Sequence, residues 1–181
     1  MPYDVQRIAV IGAGDMGSGV TSVLAQHANV YLLNRAPLSK AEAGVQKAMG
    51  AVRVSTFYPN TVIPGTYEDD WERMIGDADL IVECLAEDTT LKREYFQRID
   101  DHRRPDSIVA TSSSGLSITG LAKGMSDSFR EHFLGIHPYN PPNRLIAVEI
   151  IPGPDTSEEV VRYAEKLMQS YKRRVIRAND T

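Results

Sequence analysis

The chain has 181 residues, 42% of them hydrophobic and 24% charged, with a net charge of −4. That is ordinary globular composition, long enough for one full domain and marginal for two. The acidic balance gives no support for a nucleic-acid or anionic-membrane surface. No apolar run is long enough to span a bilayer, and the single cysteine, Cys84, rules out an intramolecular disulfide and fits a reducing, cytoplasmic setting.

Met1 to Gln6 reads as a lead-in. Ile8 to Ile11 is a short β-branched run, as expected of a buried strand. Gly12-Ala13-Gly14-Asp15-Met16-Gly17 comes directly after it and matches G-x-G-x-x-G. Val20 to Gln26 continues with helical spacing, and Asn29 to Leu33 reads as a second strand. In that setting Gly12 permits a tight turn, Gly14 lets the backbone approach a pyrophosphate, and Gly17 lets the helix pack close. The helix start then offers free N–H groups to phosphates.

Pro37 and Ser39 are turn and N-cap types, so a helix is expected from about Lys40 to Val52. Phe57 to Gly65 reads as an irregular connection with a short strand at Thr61 to Ile63. Glu68 to Ile75 reads as a short helix, and Leu80 to Leu85 as a buried strand. Thr89 or Thr90 is expected to cap a helix running to about His102, with Leu91, Tyr95, Phe96 and Ile99 on one face. Pro105-Asp106-Ser107 ends it.

Ile108 to Ala110 is the next strand, and Ile118 to Lys123 a helical turn. Phe133 to Ile136 is a further strand, ending in His137-Pro138-Tyr139-Asn140-Pro141-Pro142. Leu145 to Ile151 is β-like, Ser157 to Lys172 is an amphipathic helix, and Arg174 to Ile176 a last strand. Alternating strands and helices imply an α/β, Rossmann-type, doubly wound and mostly parallel sheet with helices on both faces. No repeat, low-complexity tract or linker divides the chain. Residues 1–181 therefore read as one dinucleotide-binding domain.

Ligands bind such sheets outside the carboxyl ends of the strands. The segments at those ends are Gly12 to Gly17, Asn34-Arg35, Leu85-Ala86-Glu87, Ser112-Ser113-Ser114 and His137 to Asn140. Oxidising an alcohol needs a base at the hydroxyl proton, and histidine suits that task. A carboxylate on the far ring nitrogen would set its tautomer. Glu149 is the candidate, since a carboxylate within Ala147 to Ile151 is costly to bury unpaired. The plainer alternatives are a core histidine and a glutamate pointing to solvent. Ser114 suits a substrate oxygen or a turn, and Asn140 a site contact or plain turn chemistry. Glu87 and Lys92 suit a cofactor ribose or a solvated helix face. Cys84 reads as buried and inert. No metal site is expected.

VIGAGDMGSG, ADLIVECLAED with Lys92, ATSSSGLSIT and GIHPYNPPNRLIAVEII together resemble the NAD-binding domain of the L-3-hydroxyacyl-CoA dehydrogenases, over nearly the whole chain. That family has an H-x-x-N-P motif with a glutamate twelve residues after the histidine. His137, Asn140, Pro141 and Glu149 stand at those positions. The resemblance implies reversible oxidation of an L-3-hydroxyacyl thioester, CoA- or carrier-bound, to the 3-oxoacyl thioester. His137 would be the acid/base and Glu149 its partner. Ser114 would bind the 3-oxygen, and Asn140 would support the site. Gly12, Gly14, Asp15, Met16 and Gly17 would hold the pyrophosphate, with Asn34 and Arg35 at the adenosine ribose. Glu87 and Lys92 would lie along the nicotinamide ribose.

Three departures from the family pattern stand out. Asn34-Arg35 replaces the usual ribose-binding aspartate, so NAD is expected on family grounds and NADP is opened by the arginine. Ser112 replaces an asparagine two positions before the serine. The chain also stops where the family continues into a helical C-terminal domain that carries part of the acyl pocket and a dimer interface. That partner domain is expected in cis or in trans, with a homodimer when complete. Two alternatives compete: a dehydrogenase of a non-CoA hydroxy acid, and a non-catalytic dinucleotide-binding module.

Overall fold

A computed structural model describes residues 4–50 and 61–180. The strands are β1 (Arg7–Ile11), β2 (Asn29–Asn34), β3 (Val62–Thr66), β4 (Leu80–Glu83), β5 (Ile108–Thr111), β6 (Phe133–Pro138), β7 (Ala147–Pro152) and β8 (Arg174–Arg177). The helices are α1 (Asp15–Leu24), α2 (Ser39–Gly50), α3 (Trp71–Asp77), α4 (Thr89–His102), α5 (Ile118–Ala122), α6 (Asp127–Glu131) and α7 (Glu158–Ser170). One eight-stranded sheet runs in the order β3-β2-β1-β4-β5-β6-β7-β8. The chain reverses its direction of travel across the sheet between β1 and β4, the crevice where such folds take ligands.

Buried strand residues alternate between two cores, as the two-residue period of a strand requires. Val10, Leu32, Val82, Leu134 and Ile150 pack with Val20 and Leu24 of α1 and Val161, Ala164 and Met168 of α7. Ala9, Ile11, Ile81, Val109 and Phe133 pack with Trp71, Met74, Phe96, Ile99, Leu121 and Phe129 of α3 to α6. Helices therefore cover both faces, as the patterning implied.

Several expectations are corrected in detail. Strands and helices do not alternate throughout. β6 runs into β7 through the 139–146 loop, without a helix, and the two strands pair antiparallel. β3 is longer than the expected 61–63 segment and includes Pro64 and Gly65. It is an edge strand, where proline's missing N–H removes no ladder bond. Phe57 to Asn60 lie outside the described residues, as do Ala51 and Val52 at the expected end of α2.

α3 begins at Trp71, later than expected, because Asp70 accepts the Thr66 N–H and holds 66–70 as a turn. α4 is capped by Asp88, whose carboxylate accepts the Leu91 N–H at 2.8 Å, and Thr89 is already helical. The short helix α6 was not expected. Ser126 caps it through the Phe129 N–H. No helix among the described residues is long and apolar enough to cross a membrane.

The glycine turn is tight. Gly12 has φ +104°, a left-handed value that disfavours a side chain, and a Cβ there would lie 2.7 Å from the Cys84 carbonyl oxygen. A Cβ on Gly17 would lie 1.7 Å from the Gly12 carbonyl oxygen. Gly17→Ala must therefore push α1 off β1. A loss on the order of 3 kcal/mol is expected, read by calorimetry as a Tm lower by roughly 6–12 °C. An unchanged Tm would show that α1 has room the packing denies it.

Candidate functional site

The site is assembled from loops at the carboxyl ends of β1, β2, β4, β5 and β6. At β1, Gly14 is the N-cap of α1, and a Cβ placed on it would meet nothing within 4 Å. The first-turn N–H groups of α1 have no intrahelical acceptor, so this turn fits a pyrophosphate closing on bare backbone. The Asp15 carboxylate turns away to Lys47 of α2, whose hydrogen bond and charge hold it below the usual carboxylate range. Met16 packs its side chain against the core beneath α1.

At β4 the structure reveals a buried charge network. Lys92 and Glu83 are fully buried, with Nζ 2.6 Å from Glu83 Oε1. Nζ also reaches the Leu85 carbonyl at 3.3 Å and Glu87 Oε2 at 3.5 Å. Glu83 accepts further from the Leu85 N–H and, through Oε2, from the Thr111 hydroxyl at 2.7 Å. The solvated alternative for Lys92 is therefore wrong: the α4 face that buries Phe96 and Ile99 carries this lysine as well.

Glu87 Oε1 accepts from the Ser113 hydroxyl (2.5 Å) and from the Ser114 and Gly115 N–H groups (3.1 Å each). Burial alone would raise the Glu87 carboxyl. The Ser113 hydroxyl, the Gly115 and Ser114 N–H groups and the Lys92 charge more than offset it and hold it below the usual range. The loop after β4 thus grips the serine loop after β5. Cys84 is buried, and burial pushes its thiol up to about 12, so it stays protonated and inert.

At β6 the antiparallel register sets His137 directly opposite Glu149. His137 Nδ1 lies 2.9 Å from Glu149 Oε2, and the Tyr139 hydroxyl donates to Oε1 at 2.9 Å. The His137 bond first, and the Tyr139 bond second, hold the Glu149 carboxyl below its usual range against a smaller opposing desolvation. An ionised carboxylate there requires the ring proton on Nδ1, which leaves Nε2 as the free nitrogen.

Ser114 is exposed and lines a cavity of about 180 Å³ together with Glu149, Leu116, Ile151 and Asp180. Asn140 stands exposed at the head of the cis Asn140–Pro141 turn, and no hydrogen bond links it to the histidine–glutamate pair. Asn34 ends β2, and its Oδ1 accepts the Arg35 N–H at 2.9 Å.

Four contributors were missed from the sequence. Glu83 carries the same signal as Glu149, an acid inside an apolar strand. Tyr139 and Ser113 had no separate signal. Asp180 accepts from the Ser117 hydroxyl, the Ile118 and Thr119 N–H groups and the Thr119 hydroxyl, at 2.5–3.1 Å. It pins the segment after β8 to the start of α5. Nothing local announces a cap supplied from so far along the chain.

Strand order, glycine turn and open helix start together define a dinucleotide-binding Rossmann domain. Comparison with known proteins narrows the class. The family model of the 3-hydroxyacyl-CoA dehydrogenase NAD-binding domain matches residues 7–181, and the chain belongs to that family. A probable 3-hydroxyacyl-CoA dehydrogenase of Bacillus subtilis is 35% identical, over 90% of this chain and 24% of its own length. The 3-hydroxyadipyl-CoA dehydrogenase of Escherichia coli K12 is 28% identical, over 100% of this chain and 39% of its own. The crystal structure of 3-hydroxybutyryl-CoA dehydrogenase from Escherichia coli K12 superposes with a TM-score of 0.85 at 25% identity, covering 99% of this chain and 39% of that one. The chain thus spans a quarter to two fifths of the length of these relatives.

Proposed function

We propose that this domain carries the acid/base half of a reversible L-3-hydroxyacyl thioester dehydrogenase. The observation that supports it is the contact between His137 Nδ1 and Glu149 Oε2, beside the cavity that Ser114 lines. Nε2 of His137 takes the 3-hydroxyl proton during oxidation and returns it during reduction. Glu149 stabilises the imidazolium that forms, and Tyr139 steadies Glu149. The Ser114 hydroxyl holds the 3-oxygen, its loop clamped by Glu87. When bound on the glycine turn, a nicotinamide dinucleotide would supply or accept the hydride. Gly12, Gly14 and Gly17 would hold its pyrophosphate, Asn34 and Arg35 would face its adenosine ribose, and Glu87, with the buried Lys92 behind it, would lie on the nicotinamide side.

A helical partner unit, in cis or in trans, completes the acyl pocket. Exposed apolar side chains support this: Tyr139, bonded to Glu149, and Ile176, in register with Glu149, border the pair, and Leu145 and Ile146 lie in the segment leading into β7. The test is turnover of acetoacetyl-CoA with reduced cofactor, by this chain with and without such a partner. Turnover that needs the partner and fails with Ser114→Ala supports the reading. No turnover with the partner present, despite dinucleotide binding, would leave a binding module instead.

A further inference from the structure

We infer that the adenosine end of this crevice is built for a 2′-phosphate, so that the chain's cofactor is NADP(H) rather than NAD(H). The inference rests on the dinucleotide reading above and adds the choice of nucleotide. An NAD site at the end of β2 needs a carboxylate that accepts from the ribose 2′-hydroxyl and repels a phosphate. Asn34 occupies that place and carries no charge. A backbone N–H can bond only the amide oxygen, so the Arg35 N–H fixes Oδ1 against the loop. The two Nδ2 hydrogens are left as donors, and donors suit phosphate oxygens.

Arg35 supplies the charge. It is exposed, and no ion pair or side-chain hydrogen bond holds it among the described residues. Arg177, Arg73 and Arg162 are by contrast held by carboxylates, the first and third by Glu158 and the second by Asp70. A planar guanidinium matches phosphate oxygens two at a time. Lys40 stands close by at the start of α2, its Nζ on the Ala36 carbonyl at 3.0 Å. The neighbouring carboxylates are Glu68, which accepts the Ala36 N–H at 3.0 Å, Asp69 on the hydroxyl of Thr66 opposite Asn34, and Asp70, which Arg73 neutralises.

A second feature points to a ligand at this end of the crevice. Among the described residues the Tyr67 hydroxyl is buried without a hydrogen-bond partner, and Tyr67 stacks edge-on with Trp71 and Tyr95. It lies within electrostatic reach of Arg35 and of Glu83 and Cys84 at the end of β4. Tyr67 follows β3, its N–H on the Asn34 carbonyl at the end of β2, and a buried unpaired hydroxyl there is out of keeping with a closed core. It suits a wall that an adenosine completes.

The test is titration of this chain with NADPH and with NADH, followed by nucleotide fluorescence, for wild type, Arg35→Ala and Asn34→Asp. Charge-assisted bonds to a phosphate should make NADPH bind at least about tenfold tighter. Arg35→Ala should abolish that preference, weakening NADPH at least about tenfold more than NADH. Asn34→Asp should reverse it. Equal or tighter binding of NADH, with NADPH indifferent to Arg35→Ala, overturns the inference and leaves the dinucleotide reading intact. Binding of neither nucleotide overturns both.

Discussion

His137→Ala should lower acetoacetyl-CoA turnover by about 10²–10⁴-fold, the usual contribution of a positioned acid/base, with dinucleotide affinity unchanged. The split matters because the proposed role puts His137 on the reacting proton, while its place on β6 is away from the glycine turn after β1. Steady-state rates together with nucleotide titration check it. Turnover equal to wild type would remove His137 from the mechanism.

Glu149→Gln should reproduce part of the loss, since a neutral amide cannot stabilise the imidazolium. It should also alter the response to acid. The Glu149 carboxyl is held below its unfolded value by His137 and Tyr139. A group depressed on folding contributes stability above its ordinary range and loses that stability as pH falls through its lowered value. Acid unfolding followed by circular dichroism should therefore be less steep in Glu149→Gln below the ordinary carboxylate range. An identical acid limb would show that the pair contributes nothing to the fold.

Lys92→Met should be the most damaging change to stability. It leaves the Glu83 carboxylate fully buried without its cation. Breaking such a pair from one side costs about 3–5 kcal/mol, and for a chain of this size the Tm should fall by roughly 6–20 °C. The double variant Glu83→Gln/Lys92→Met should recover much of that. The amide oxygen still accepts the Leu85 N–H, and no unpaired charge remains. Thermal unfolding of the single and double variants forms the cycle. A single variant within about 1 kcal/mol of wild type would mean that the pair is not desolvated as its burial implies.

The same network explains part of what the sequence left unread. Lys92 looks like any polar residue on a helix, because α4 also carries Arg93, Glu94 and Arg98. Its burial comes from the way α4 lies on the sheet, which brings position 92 over the end of β4. Glu83 was legible on the same grounds as Glu149. The glycine turn was legible because its requirements are local: a positive φ at Gly12 and a carbonyl 1.7 Å from any Cβ on Gly17. The expected Thr89 or Thr90 cap was displaced to Asp88 because capping depends on which residue first leaves helical geometry, a matter of one turn's backbone.

By itself the sequence determined the apolar runs that become strands, the helix faces, the phosphate turn and the residues proposed to do chemistry. Each of these depends on contacts within a few positions, so composition and spacing suffice. Only the tertiary structure decided that β7 turns back against β6. That reversal is what brings an imidazole and a carboxylate twelve positions apart into direct register. It also decided that Lys92 points inward and that Asp180 returns to hold α5. Strand direction and side-chain burial are set by which distant elements share the core, and no local pattern encodes that pairing.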